Sequence, residues 1–225
     1  MPIDELAVLE SLSACTHHDS ARLLLLAAGW TPCGAGDWAI ALRSPSGSRA
    51  ARISPFDPTA HYCAELYRRA ATTGQVPRLD TEHRLEGGGS MLVMEFLEEV
   101  PPAEAVAFHR QISAREPAVA ELATILETVH REALRELPWC GPIDDNPQNV
   151  MRGSDGRLVV ADVFYADGPD LYATVLSDPR RVARSMPPSQ RRYMFDLPLA
   201  SSGGWDPAVR TAMQEALRLA DIPPD

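Results

Sequence analysis

Between Asp144 and Met151 the chain reads DDNPQNVM, and a further carboxylate, Asp162, follows in VVADVF. Aspartate and asparagine oxygens are hard ligands suited to divalent cations, and a positioned carboxylate can orient or accept a proton. Pro147 is rigid and would stiffen such a loop. The same residue types build ordinary turns, so a solvated turn is the competing account of this stretch. All 21 basic side chains are arginine. Any chemistry that normally uses a lysine must use arginine here or be absent.

Composition limits what these residues can serve. A chain of 225 residues, 45% hydrophobic with a mean hydropathy of -0.17, fits a soluble globular protein of one large domain or two small lobes. The N-terminus, MPIDELAVLESL, is acidic where a signal peptide is basic. The longest apolar run, Leu23–Gly29, falls far short of the roughly 20 residues that span a bilayer. A cytoplasmic protein is expected, or one exported without a recognisable signal peptide, with no membrane partner. Cys15, Cys33, Cys63 and Cys140 are scattered with no CxxC pair, which supports neither a zinc site nor a disulfide framework. Cys15, His17 and His18 lie close together, but in an amphipathic stretch. The formal net charge of -10 argues against nucleic acid as the main partner and favours a cationic one.

The elements that must position the candidate residues follow from periodicity. Apolar residues at Ile3, Leu6, Leu9 and Leu12 predict a helix over Ile3–Ser13, and Ser20–Ala28 predicts a second. After Gly29 two short apolar segments flank SPSG, the pattern of a β-hairpin preceded by a glycine turn. Pro58–Thr72 returns to helical spacing with Glu65 near its apolar face. Strands are expected at Arg78–Leu85 and Met91–Phe96, helices at Ala103–Ser113 and Pro117–Leu137, and a hairpin turning at RGSDG between NVM and LVVADVF. The tail from Asp170 is Pro-rich and ends in a helix at Pro207–Ala220.

In this order the pieces resemble the protein-kinase-like fold that protein kinases share with aminoglycoside phosphotransferases. Gly34-Ala35-Gly36-Asp37-Trp38-Ala39 is similar to the G-x-G-x-x-G phosphate loop, with alanine at the third glycine. Ala50-Ala51-Arg52 resembles the A-x-K of the third strand and Glu65 the glutamate of the following helix. MLVMEFL, ending at Glu95 and Leu97, resembles the strand entering the hinge. DDNPQNVM matches D-x-x-P-x-N, and Asp162-Val163-Phe164 stands where D-F-G is expected.

The resemblance implies an α+β, two-lobed fold: an N-terminal helical extension over residues 1–28, a small β-rich nucleotide-binding N-lobe over 29–100, and a reduced helical C-lobe over 101–225. It implies ATP and Mg²⁺ as ligands. Gly34 and Gly36 would admit the phosphates, Arg52 would hold them with Glu65 fixing it, and Glu95 and Leu97 would border the nucleotide. Asp144 would orient the acceptor hydroxyl, with Asp145 the alternative if the register shifts by one, and Asn149 and Asp162 would ligate the metal. Several positions depart from the pattern. Arginine replaces the lysine and is not its equivalent. Pro142 stands where a histidine is usual, the glycine after Phe164 is missing, and no long activation loop follows. The expected function is ATP-dependent phosphotransfer to a hydroxyl, on a protein in preference to a small molecule. The alternatives are a small-molecule phosphotransferase, an inactive pseudokinase-like binding module, or an α+β domain with no nucleotide site.

Overall fold

A computed structural model describes residues 5–222. The fold is α+β, built on an antiparallel five-stranded sheet and eight α-helices among the described residues. The sheet comprises β1 (Thr31–Ala35), β2 (Ile40–Arg43), β3 (Arg49–Ser54), β4 (Leu79–Arg84) and β5 (Ser90–Glu95), in the order β1-β2-β3-β5-β4. Gly47, at φ 76°, closes the β2–β3 hairpin, where Ser44 N–H bonds the Arg49 carbonyl at 3.0 Å.

Strand alternation decides what faces the site. Along β3, Ala51 and Ile53 enter an apolar cluster with Leu25, Trp30 and Leu42, so Ala50 and Arg52 must face the other way. Helix α1 (His18–Ala27) covers the first face with Ala21 and Leu25. Helix α2 (Ala60–Arg69) packs on the second face, where Cys63, Leu66 and Tyr67 meet Leu92 and Met94.

Beyond the sheet come β6 (Glu98–Glu99), α3 (Pro102–Ala114) and α4 (Ala120–Glu136). Next are β7 (Val150–Arg152) and β8 (Leu158–Val160), which with β6 form a second sheet of order β6-β7-β8. Four helices follow: α5 (Gly168–Ser177), α6 (Pro179–Ser185), α7 (Pro188–Arg191) and α8 (Pro207–Ala220). Of these, α5, α6 and α8 share a core of Leu171, Val175, Val182, Met213 and Leu217. Among the described residues no helix is long and apolar enough to cross a membrane.

One expected element needs correction. The helix over Ile3–Ser13 is a single 3₁₀ stretch, Ala7–Ser11, and its first two residues lie outside the described residues. Its apolar residues recur every third position, which is the 3₁₀ repeat of three residues per turn. Between β4 and β5 the stretch EGGGS, starting at Glu86, is held in place. A Cβ on Gly88, at φ 91°, would lie 1.9 Å from the Gln190 carbonyl oxygen, so this loop packs backbone to backbone against α7.

Candidate functional site

A cleft of about 650 Å³ opens beside the sheet, well within the usual range for small-ligand sites. It is lined by Gly34–Ala41, Arg52, Tyr67, Glu95–Leu97, Asn149 and Asp162. Gly34 lies on β1 opposite Ala41, and Gly36 is in the β1–β2 turn, where its N–H bonds the Ala39 carbonyl at 2.9 Å.

Asp144 and Asp162 are brought together by the backbone. The segment 139–144 runs antiparallel to 163–167, with Asp144 N–H on the Val163 carbonyl and Gly141 N–H on the Tyr165 carbonyl, both at 2.9 Å. Gly141 permits this approach, because a Cβ there would lie 2.5 Å from the Tyr165 ring. Asp144 divides its carboxylate between two tasks. Oδ1 accepts the Asn146 N–H at 2.9 Å, shaping the turn, and Oδ2 accepts the Asn149 side-chain amide at 2.9 Å. A carboxylate only accepts, so the NH₂ of Asn149 faces Asp144 and its carbonyl oxygen is turned away from it. Pro147 opens a single 3₁₀ turn, Pro147–Asn149, capped by Asn146. Asp145 is exposed.

Arg52 sits between two carboxylates: Nη1 donates to Asp57 Oδ2 at 2.6 Å, and Nη2 lies 3.0 Å from Asp162 Oδ1. Burial opposes its charge, but Asp162 and Asp57 outweigh burial and hold the guanidinium protonated. Burial pushes the Asp162 carboxyl above its ordinary value, against the pull of Arg52, and Asp57 and Asp144 push it further. Asp162 adopts a left-handed backbone, φ 53°, and Tyr67 Oη accepts its N–H at 3.1 Å. Its side chain remains 44% exposed.

The expected Arg52–Glu65 pair is not formed. Glu65 bonds Arg68 and Arg69, both at 3.1 Å, three and four residues along its own helix. Cys63 and Tyr67 take the face of α2 towards Asp162 and the sheet; Glu65, two residues from each, is turned about 200° away. Asp57 takes the pairing role. Its Oδ1 also accepts the Thr59 N–H at 2.9 Å and hydroxyl at 2.8 Å. An aspartate in FDPT, just ahead of a helix and five residues after the strand arginine, was the available signal.

Glu95 and Leu97 both line the cleft, but the Glu95 carboxylate is committed elsewhere. It accepts the Arg78 N–H at 2.8 Å and forms ion pairs with Arg78 and Arg157. Arg157 belongs to the β7–β8 turn, so Glu95 ties the end of β5 to the hairpin carrying Asn149 and Asp162.

His130 was also missed. Its ring lies parallel to Phe164, centroids 5.7 Å apart and 7° between planes, and its Nε2 donates to the Gly141 carbonyl at 2.8 Å. A histidine of α4 thus braces the aspartate loop from a position twelve residues before Pro142. His109 of α3 adds a bond from Nε2 to the Asn146 carbonyl at 3.2 Å. His17, His18 and Asp19 also come together, but the two histidine rings stack at 4.1 Å and meet Tyr193 edge-on.

No family model matches the chain, and no curated protein does. Solved structures similar to it include the following two. One is the aminoglycoside phosphotransferase APH(3'')-Id from Streptomyces rimosus, 19% identical, over 89% of this chain and 97% of that one, with a TM-score of 0.31. The other is a pseudokinase in its apo form, 13% identical, over 84% of this chain and 82% of that one, with a TM-score of 0.30. Likenesses this distant leave the meaning of the site to its own geometry.

Proposed function

We propose that the chain is a small, atypical member of the protein-kinase-like superfamily that transfers the ATP γ-phosphate to a hydroxyl, on a protein in preference to a small molecule. The observation that carries this reading is the convergence on one cleft of a glycine turn, a part-buried arginine, Asn149 and Asp162, with Asp144 joined to them through its bond to Asn149 and its backbone bond to Val163. Phosphoryl transfer asks mainly for positioning and charge neutralisation, and these groups supply both. The two-lobed division near residue 100 belongs to the same reading: the five-stranded sheet with α1 and α2 precedes it, and α3–α8 and the hairpin between Asp144 and Asp162 follow it.

The donor set fits Mg²⁺. The open Asp162 carboxylate and the Asn149 carbonyl oxygen, oriented by its amide bond to Asp144, are hard oxygen ligands. Bound there, the ion would neutralise charge on the phosphate oxygens. Arg52 would contribute phosphate contacts from its planar fork while keeping Asp57 as a fixed partner. Asp144 would orient the acceptor hydroxyl and take its proton. A protein hydroxyl is preferred because α5, α6 and α8 spend their apolar faces on one another.

A pseudokinase is the second reading, favoured by the contact between Arg52 and Asp162, which places a guanidinium against the carboxylate that the metal would need. Two measurements on the intact chain separate the readings. ATP with Mg²⁺ should raise the melting temperature, since a ligand of the folded state stabilises it, and γ-labelled ATP should transfer label to lysate protein. Stabilisation without transfer to protein or small molecules would select the pseudokinase; no stabilisation would remove the nucleotide site.

A further inference from the structure

The tip of the β1–β2 turn carries a carboxylate, Asp37, in the loop that phosphates would approach. A free negative charge there would repel them. It is not free. Asp37 Oδ1 accepts the N–H groups of Ser201 and Ser202 at 2.7 and 2.9 Å, and Oδ2 accepts the Ser202 hydroxyl. Two backbone bonds reinforce this seat: Leu199 N–H to the Asp37 carbonyl at 3.1 Å and Ala200 N–H to the Gly36 carbonyl at 3.4 Å. These donors keep the carboxyl below its ordinary value despite partial burial. Leu199 accepts a left-handed backbone, φ 47°, an arrangement that persists where surrounding bonds enforce it. Trp38, next along the turn, wedges against Phe56, and the Ser54 hydroxyl bonds the Trp38 carbonyl at 2.6 Å. The cleft beneath retains its volume of about 650 Å³ with every one of these contacts in place.

We propose that the segment Leu199–Ser202 positions the phosphate loop, with Asp37 as the residue through which it acts. The tail holds the turn in its ligand-receiving shape and directs the carboxylate away from the phosphates. Asp37 is a positioning residue, and the proposal rests on the nucleotide reading of the cleft.

The test compares wild type with Asp37→Ala, Asp37→Asn and Ser202→Ala, measuring hydrogen exchange of the amides of residues 34–40 without ligand and the binding and turnover of ATP with Mg²⁺. In Asp37→Ala the loop amides should exchange faster, while those of β3 and β5 keep their protection. ATP affinity should fall about tenfold with a smaller change in kcat, since ordering the loop becomes part of binding. Asp37→Asn retains an acceptor for both N–H groups and should recover most of the affinity. Ser202→Ala, at an exposed position that removes one bond, should fall between. Unchanged loop exchange in Asp37→Ala overturns the latch, and faster exchange with wild-type ATP affinity overturns its positioning role. Failure of the wild type itself to bind ATP overturns the underlying site reading, an outcome distinct from both.

Discussion

Asp162 carries a left-handed backbone and a carboxyl whose ionisation burial opposes, and these features predict how it responds to substitution. Its folded-state carboxyl lies above the unfolded value. Its contribution to stability is therefore present in full below the unfolded value and is lost as pH rises through the folded one, so at neutral pH the charge weighs against the fold. Asn, which tolerates a positive φ, should leave the melting temperature of the ligand-free protein unchanged or raised at pH 7 while abolishing the shift caused by ATP with Mg²⁺. Calorimetric melting with and without ligand checks both halves. Asp144→Ala should instead keep ATP affinity near wild type while transfer falls by about two or more powers of ten, the scale for a positioned acid–base group. A second contrast concerns Arg52. Asp57 is 8% exposed and Arg52 leans on it, so Asp57→Ala should cost about 2–3 kcal/mol in urea unfolding, towards the lower end for a broken buried pair because Asp162 remains. Glu65→Ala breaks only surface pairs and should cost less than about 1 kcal/mol, with ATP binding intact. Equal effects of the two substitutions would restore Glu65 to the site.

At the scale of elements, the sequence was readable wherever periodicity and punctuation agreed. Helix α8 runs Pro207–Ala220 as expected, with Asp206 capping Ala208 and Val209 and proline in the first turn. The same signature is present in the Pro-rich tail, where no helix before Pro207 is expected: Asp167 caps α5, Asp178 caps α6, and Pro179 and Pro188 open α6 and α7. Prolines that stop one element were starting the next. Helix α2 was expected as a helix, but its rotation was not, because Tyr62, Leu66 and Ala70 define an apolar face without saying which element it meets. Two basic residues three and four positions after Glu65 were the signal that it pairs locally. The bracing by His130 was not legible at all, since it joins residues 34 apart through a ring contact. The packing of the EGGGS loop on α7 likewise joins residues remote in sequence. Gly88→Ala should destabilise the fold by more than about 2 kcal/mol, combining a positive φ with a backbone collision, and a denaturant titration measures it. Gly156→Ala is the matched control: it also has positive φ, at 86°, but a Cβ there meets nothing within 4 Å, so its cost should be near 1 kcal/mol.

For the whole molecule, the seat of the glycine turn on Leu199–Ser202 also sets a timetable. Asp37 and Ser202 are 165 residues apart, and closing so large a loop is among the costliest steps in folding. The chain is synthesised from its N-terminus, so the strands of the sheet and the Asp144 loop leave the ribosome before the segment that holds the roof of the cleft. Nascent chains ending before residue 199 should therefore contain the sheet and both acidic stations yet bind ATP weakly, and affinity should appear only when the last turn before α8 is released. Stalled-chain complexes of graded length, assayed for retention on immobilised ATP, would show a step between chains released to residue 195 and those released to residue 205. A smooth rise beginning at Asp162 would mean that the cleft is finished without its tail. The step, if found, makes the Leu199–Ser202 segment a built-in delay: the nucleotide is admitted only once the chain has been made through that segment.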